Sequence, residues 1–313
     1  MATAEELKYR GFVAQLEAAL GSEICAALAD HDVVEVMAQE SGEVLVEKHG
    51  SGIEHLTTIK PAQAGMILSL VASHMGTTIT TSQPIVSGSL PVEFGGGARI
   101  EGLIPPCVSA PVFAIRVKAR AVYTLAQYVT AGIMTAGQRE QLEQAVLEHK
   151  NVLVSGGTGS GKTTLLNALL HVISQNAGLD DRVVTIEDTL ELQCSAPNYV
   201  ALRTSDMAGV SMTTLLKSTM RLRPNRIIVG EVRDGAALAL LKAWNTGHPG
   251  GLATVHANSP QAALLRLDQL CQEAGVQSQA TLIQEAVDVV VQISRGGPAG
   301  RSITGLLDVK AQK

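Results

Sequence analysis

A run of glycines between two apolar segments limits the fold more than anything else in this 313-residue sequence. Residues 156–163 read GGTGSGKT, which matches the pattern GxxxxGK[ST]; the run follows NVLVS and precedes TLLNALL. The first flank predicts a buried strand at 152–154, and the second predicts a helix at 162–173. Glycines let the backbone adopt positive φ and approach an anion closely. This order of strand, glycine-rich loop (residues 156–163) and helix therefore predicts a binding site for a chain of phosphates.

The residue types of the glycine-rich loop indicate which ligand it binds. Successive N–H groups are expected to point at a β-phosphate from the positive end of the following helix. Lys162 is expected to reach β- and γ-phosphate oxygens, and the Thr163 hydroxyl to bind Mg²⁺. The ligands implied are ATP and Mg²⁺. The predicted binding residues are Gly156, Gly157, Thr158, Gly159, Ser160, Gly161, Lys162, Thr163 and Thr164.

Two apolar segments end in a carboxylate, as an ATP-hydrolysing site requires. Glu231 closes the segment IIVGE, although Gly230 occupies the place where an Asp is usual, and Glu187 follows VVTI. One carboxylate cannot easily hold the water shell of the metal and also orient the attacking water. We therefore assign Glu231 to Mg²⁺ and its waters, and Glu187 to orienting or deprotonating the nucleophilic water. The two roles could be exchanged.

One histidine and two arginines complete the set of predicted catalytic residues. His256 ends the segment LATV, a position where a histidine is more often structural. Arg99 and Arg116 lie on predicted strands of the first half, near the domain boundary, where they would reach a nucleotide held between two domains. The alternative for each arginine is a surface ion pair.

The pattern of apolar residues changes along the chain and predicts two domains. An irregular mixture of helices and short strands, including one at 77–81, predicts a smaller α+β domain over residues 1–118. Residues 119–136 are only partly periodic and are interpreted as a linker. From 137 to 313, strands alternate with helices, which predicts an α/β domain with a mostly parallel sheet covered on both faces.

Composition excludes several other classes of protein. The net charge is −5 and only eight residues are aromatic, so a basic nucleic-acid groove with stacked bases is not expected. No run of about 18 apolar residues predicts a membrane span, and the helix predicted at 4–20 is expected to pack on its own domain. The four cysteines lie 82, 87 and 77 residues apart, which favours reduced thiols over a zinc or disulfide framework.

Four segments together resemble a known family. They are GGTGSGKTT, VVTIEDTLELQ, RLRPNRIIVGEVRD and NTGHPGGLATVHANSP. In this order they resemble the Walker A, Asp, Walker B and His boxes of the secretion traffic ATPases of type II and type IV secretion, conjugation and type IV pili. Among these, the sequence is most similar to the TrbB-type conjugative-transfer ATPases.

The resemblance implies a structure and a role for each candidate residue. It implies a RecA-like P-loop domain after the N-terminal domain, a hexameric ring, and nucleotide held between the two domains. By the same resemblance, Glu187 is the Asp-box carboxylate, Glu231 the Walker B carboxylate and His256 a sensor of nucleotide state. Arg99 and Arg116 correspond to arginines that approach the γ-phosphate. The family further implies a cytoplasmic protein, peripheral at the inner membrane, with other components of the apparatus as partners.

The sequence thus predicts an ATPase whose domain motion in a ring powers pilus assembly or substrate transfer, without direct nucleic-acid binding. Two alternatives stay open. A RecA-like nucleic-acid translocase would hydrolyse ATP faster in the presence of single-stranded DNA. A non-hydrolysing ATP-binding scaffold subunit would bind nucleotide without turnover, and the presence of both carboxylates argues against it.

Overall fold

The computed structural model describes residues 3–48, 51–118, 122–205 and 208–312. The chain divides into two compact units, Met1–Arg120 and Ala121–Lys313. Each unit contains its own β-sheet and its own apolar core, so the α/β class predicted from the sequence is confirmed.

The first unit is a six-stranded antiparallel sheet with two helices. Its strands are ordered β3-β2-β1-β6-β5-β4, and every neighbouring pair is antiparallel. Alternate strand residues such as Val36, Ile100 and Ile115 are buried beneath the helices, as the two-residue period of a strand requires. The elements are α1 (Ala4–Ala29), β1 (Val33–Ala38), β2 (Glu43–Lys48), β3 (Gly52–Thr58), α2 (Pro61–His74), β4 (Ile85–Ser89), β5 (Arg99–Leu103) and β6 (Val112–Arg116).

Helix α1 is the one described helix that is long and apolar enough to cross a membrane by those two criteria. Its backbone breaks at Gly21, where φ is 80° and ψ is 166°. Beyond the midpoint of the helix, Leu16, Leu20, Ile24 and Leu28 are buried in the core of the first unit. The expectation that this segment packs on its own domain is confirmed.

The second unit is a seven-stranded sheet in the order β13-β12-β7-β11-β10-β8-β9. All neighbouring pairs are parallel except the hairpin of β12 and β13. The elements are α3 (Leu125–Thr130), α4 (Ala136–Leu147), β7 (Val152–Gly156), α5 (Lys162–Asn176), β8 (Val183–Glu187), β9 (Tyr199–Arg203), α6 (Met212–Thr219), β10 (Arg226–Val229), α7 (Ala236–Asn245), β11 (Leu252–His256), α8 (Pro260–Gln272), α9 (Ala280–Ala286), β12 (Val289–Arg295) and β13 (Arg301–Asp308).

Helices cover both faces of this sheet, which explains the continuous apolar runs of its central strands. Every residue of β7, β8 and β10 is buried. Val152 and Val154 face a core shared with α3, α4 and α5, whereas Leu153 faces a core shared with α6, α7, α8 and α9. Because the strands are parallel, the carboxyl ends of β7, β8, β10 and β11 meet at one edge of the sheet.

Some predicted elements differ from the structure. The strand predicted at 77–81 is wrong: only an isolated bridge joins Thr80 to Gln83, and pairing with β5 begins at Ile85. The β-branched run has strand propensity but no partner strand, and propensity alone does not form a sheet. Of the predicted linker 119–136, residues 119–121 lie outside the described part of the chain. The rest includes α3, whose Leu125 and Tyr128 are buried in the core of the second unit.

Candidate nucleotide-binding site

The glycine-rich loop joins the end of β7 to the start of α5 in a tight backbone turn. Gly159 and Gly161 have φ angles of 66° and 99°, which favour glycine because a Cβ would be strained there. A Cβ on Gly156 would collide with the Ile293 carbonyl oxygen and with Ser160 Oγ. The loop is therefore folded closely against β12, and the backbone path itself requires glycine at positions 156, 159 and 161.

Lys162 is buried within this loop, with only 7% of its surface exposed. Its Nζ donates a hydrogen bond to the Gly157 carbonyl oxygen at 3.0 Å and lies 3.2 and 3.3 Å from the two ring nitrogens of His256. A buried ammonium group needs compensating partners. Here the loop carbonyl and the histidine supply part of that compensation.

The hydroxyl group of Ser160 is a further hydrogen-bonding group in the loop. Its hydroxyl oxygen is buried and, within the described ranges, has no hydrogen-bond partner. Such a group normally finds a partner in a bound water, ion or ligand. The donor-rich backbone turn, Lys162 and this hydroxyl together suit an oxygen-rich anion such as a phosphate chain.

Glu231 contacts His256, which in turn contacts Lys162. Its Oε1 lies 3.0 Å from His256 Nε2, and its Oε2 accepts a hydrogen bond from Arg233 at 2.8 Å. Burial opposes ionisation of this carboxyl, but the Arg233 hydrogen bond and the charges of Arg233, His256 and Lys162 hold the pKa of Glu231 below its usual value. Glu231 is therefore a carboxylate at neutral pH.

His256 connects the lysine to this carboxylate as a neutral ring. Burial, and then the charge of Lys162, lowers the pKa of His256, while Glu231 acts in the opposite direction. A neutral imidazole with its proton on Nε2 donates to Glu231 and accepts from Lys162 at Nδ1, a tautomer assigned from these partners. The structure thus brings together three of the predicted residues, Lys162, Glu231 and His256.

Glu187 is the most deeply buried acid of the site, with 3% of its surface exposed. Its Oε1 accepts hydrogen bonds from the backbone N–H groups of Glu191 and Leu192, both at 2.9 Å. Gly230 lies beside it, and a Cβ at that position would be 3.0 Å from Glu187 Cγ. The glycine that replaces the usual Asp therefore makes room for the side chain of Glu187.

Arg233 joins the ends of β8 and β10. Besides its hydrogen bond to Glu231, its Nη1 lies 3.7 Å from Asp188 Oδ2, and Asp188 accepts a hydrogen bond from Thr204 Oγ1. Arg233 was not among the site residues predicted from the sequence. Its position two residues after Glu231 was the available sign that it would pair with that carboxylate.

The other predicted arginines belong to the first unit. Arg99 begins β5 and Arg116 ends β6, and their Cα atoms are direct partners across the two strands. The structure therefore places the two arginines side by side on one sheet. Their predicted approach to a γ-phosphate stays a prediction.

Two further arginines, which sequence reasoning missed, lie against the glycine-rich loop. Arg295 Nε donates to the Gly159 carbonyl oxygen at 3.3 Å, and a Cβ on Gly161 would be 2.7 Å from Arg301 Nη1. Both belong to the hairpin of β12 and β13. The segment RGGPAGR after the last apolar strand was the available sign, since it predicts a turn with an arginine at each end.

Strand, glycine-rich loop with GK[ST], and helix at the carboxyl edge of a parallel sheet define a P-loop protein. Comparison with known proteins narrows the class. The chain belongs to the family described as "Type II/IV secretion system protein", whose model matches residues 21–298. The resemblance to secretion ATPases predicted from the four segments is confirmed.

Individual relatives agree with this assignment. The chain is 49% identical to a probable conjugal transfer protein TrbB of Sinorhizobium fredii, over 95% of this chain and 90% of the relative. It is 31% identical to the type IV secretion system protein VirB11 of Bartonella quintana, over 87% of each chain. The crystal structure of the VirB11 ATPase from Brucella suis is 27% identical, with a TM-score of 0.50 over 96% of each chain.

The contact between Gly230 and Glu187 gives a first prediction. Gly230→Asp should destabilise the second unit by about 1–3 kcal/mol, because its Cβ crowds Glu187 and its charge repels that carboxylate. Urea unfolding followed by the fluorescence of Trp244, the single tryptophan, measures this loss. Gly137→Ala is the control: a Cβ there meets nothing within 4 Å. An unchanged unfolding free energy in Gly230→Asp would show that Glu187 does not require a glycine beside it.

Proposed function

We propose that this chain is the Mg-ATP hydrolase of a conjugative transfer or type IV secretion apparatus. The observation that carries the proposal is the series of contacts from Lys162 through His256 to the ionised Glu231 at the mouth of the glycine-rich loop. It puts an ammonium group and a carboxylate, which suit phosphate and metal binding, at the same edge of one sheet. Membership of the secretion family and the conjugal-transfer names of its relatives supply the biological setting.

In this proposal, phosphate binding is the work of the loop. Its backbone N–H groups, from Gly156 to Thr164, hold the phosphates, and Lys162 exchanges the Gly157 carbonyl and His256 for phosphate oxygens. His256 then loses one partner and keeps Glu231. This exchange would make the histidine sensitive to the presence of nucleotide.

The two carboxylates divide the remaining chemistry. Thr163, in the first turn of α5, and Glu231 fit the oxygen ligands that Mg²⁺ prefers, directly or through water. Bound there, Mg²⁺ would neutralise charge that develops on the phosphates. Glu187 would orient or deprotonate the attacking water. Its carboxyl is fixed by two backbone N–H groups, so it is already positioned before substrate binds.

The finer features of the family belong to the same proposal. The second unit would be the RecA-like domain and the first unit the N-terminal domain that supplies Arg99 and Arg116 to the γ-phosphate. Six copies would form a ring, and the domain motion driven by hydrolysis would power pilus assembly or substrate transfer. The ring would act in the cytoplasm, peripherally at the inner membrane and bound to other components of the apparatus.

Lys162→Ala tests nucleotide binding at the loop. Mg-ATP at about 100 times its Kd should stabilise the wild type by about 2.7 kcal/mol, which is roughly 5–10 °C in melting temperature. The variant should show no such shift and no turnover. A wild-type protein that neither shifts nor hydrolyses ATP would contradict the proposal, and a shift without turnover would favour a scaffold subunit.

Glu231→Gln and Glu187→Gln separate the roles of the two acids. Glu231→Gln should weaken the dependence of ATP binding on Mg²⁺, because an amide is a poorer metal ligand. Glu187→Gln should keep ATP affinity and lower kcat by about 10²–10⁴-fold. Glu191→Gln removes the same charge from the neighbouring loop and should change neither quantity. The opposite pattern would show that the two roles are exchanged.

The mass of the protein in solution tests the ring. Wild-type protein with Mg-ATP should contain a species of six chains whose turnover does not depend on DNA. Light scattering after size-exclusion chromatography, with ATPase assays of the same fractions, measures both properties. A monomer that hydrolyses ATP only with single-stranded DNA would favour the translocase instead.

A further inference from the structure

Arg295 and Arg301 form a pair at the turn end of the β12–β13 hairpin, on either side of residues 296–300. Their Cα atoms are direct partners across the two strands, so both side chains leave the same face of the sheet. There each guanidinium lies against a glycine of the glycine-rich loop, Arg295 at Gly159 and Arg301 at Gly161. Any side chain at these two glycines would collide with an arginine.

No carboxylate in the described part of the chain forms an ion pair with either arginine. Like charges directly opposite each other on paired strands are destabilising. Throughout residues 3–48, 51–118, 122–205 and 208–312, no carboxylate lies within 4.0 Å of either guanidinium. Arg295 is exposed and Arg301 is half-buried, so both are open to a ligand. An anion bound beside the loop would relieve the repulsion.

The strand order indicates which part of a nucleotide lies at this arginine pair. The glycine-rich loop follows β7, and the strands of Glu187, Glu231 and His256 all lie on one side of β7. The hairpin of β12 and β13 lies on the other side. Metal and attacking water belong at the terminal phosphate, on the side of the acids. The rest of the nucleotide must then extend towards the hairpin.

We propose that Arg295 and Arg301 bind the α-phosphate and the adjoining ribose of the nucleotide. The inference rests on the proposed ATP-binding function and adds two binding residues to it. A guanidinium suits this task because its planar N–H donors match phosphate oxygens, and its charge does not depend on pH. In this position the pair would hold ADP as well as ATP, independently of the γ-phosphate.

Nucleotide titrations of Arg295→Gln and Arg301→Gln test the proposal. Each variant should bind ATP and ADP about ten- to hundredfold more weakly, since it loses a charged hydrogen bond. Inorganic pyrophosphate, which needs only the loop and Lys162, should bind as in the wild type. KM for ATP should rise with little change in kcat. Lys242→Gln, an exposed position at the last turn of α7, is the control for loss of one positive charge.

The melting temperature without nucleotide separates binding from a structural role. Because substitution removes like-charge repulsion, the ligand-free variants should melt no lower than the wild type and should gain less from ATP. A lower melting temperature, or an equal loss of pyrophosphate binding, would mean that the arginines only support the loop. Variants that bind ATP like Lys242→Gln would also overturn the inference. A wild type without ATP affinity would instead refute the proposed function.

Discussion

The buried charge of Lys162 has to be compensated within the glycine-rich loop, and the rest of the site follows from this requirement. The Gly157 carbonyl oxygen accepts a hydrogen bond from the ammonium group, and the positive φ angles of Gly159 and Gly161 form the turn around it. His256 has to be neutral to accept from the lysine, and Glu231 has to be ionised to accept from the histidine. A parallel sheet makes these contacts possible, because it brings the carboxyl ends of β7, β10 and β11 to one edge.

The same edge explains why this chain departs from the usual Walker B pattern. Side chains at neighbouring strand ends share limited space, and here the end of β8 carries the side chain of Glu187. Gly230 has no side chain and therefore leaves room for Glu187. The carboxylate of Glu187 accepts hydrogen bonds from two backbone N–H groups, which fix its position. Arg233 then ties Glu231 to Asp188 across the strand ends. The acids are thus arranged by packing as much as by charge.

Local patterns sufficed to predict the glycine-rich loop and both acids, because each sits within or just after an apolar strand that can be recognised in isolation. Long-range pairing could not be predicted in this way. Arg295 contacts Gly159, which lies 136 residues earlier in the sequence. The strand expected at 77–81 does not form, and the strand that pairs with β5 begins at Ile85. Arg99 and Arg116 were expected near the nucleotide from family resemblance, and only their pairing with each other is defined within their own unit.

The partners that Lys162 already has before nucleotide arrives influence how long a product would stay. A phosphate has to displace the Gly157 carbonyl and His256, and both are available to take the ammonium back when the phosphate leaves. The loss of these two contacts therefore offsets part of the attraction between Lys162 and the phosphate. When the anion leaves, the ammonium group can form both contacts again. If the chain hydrolyses ATP as proposed, such a loop would release its product more readily than one whose lysine would be left without partners.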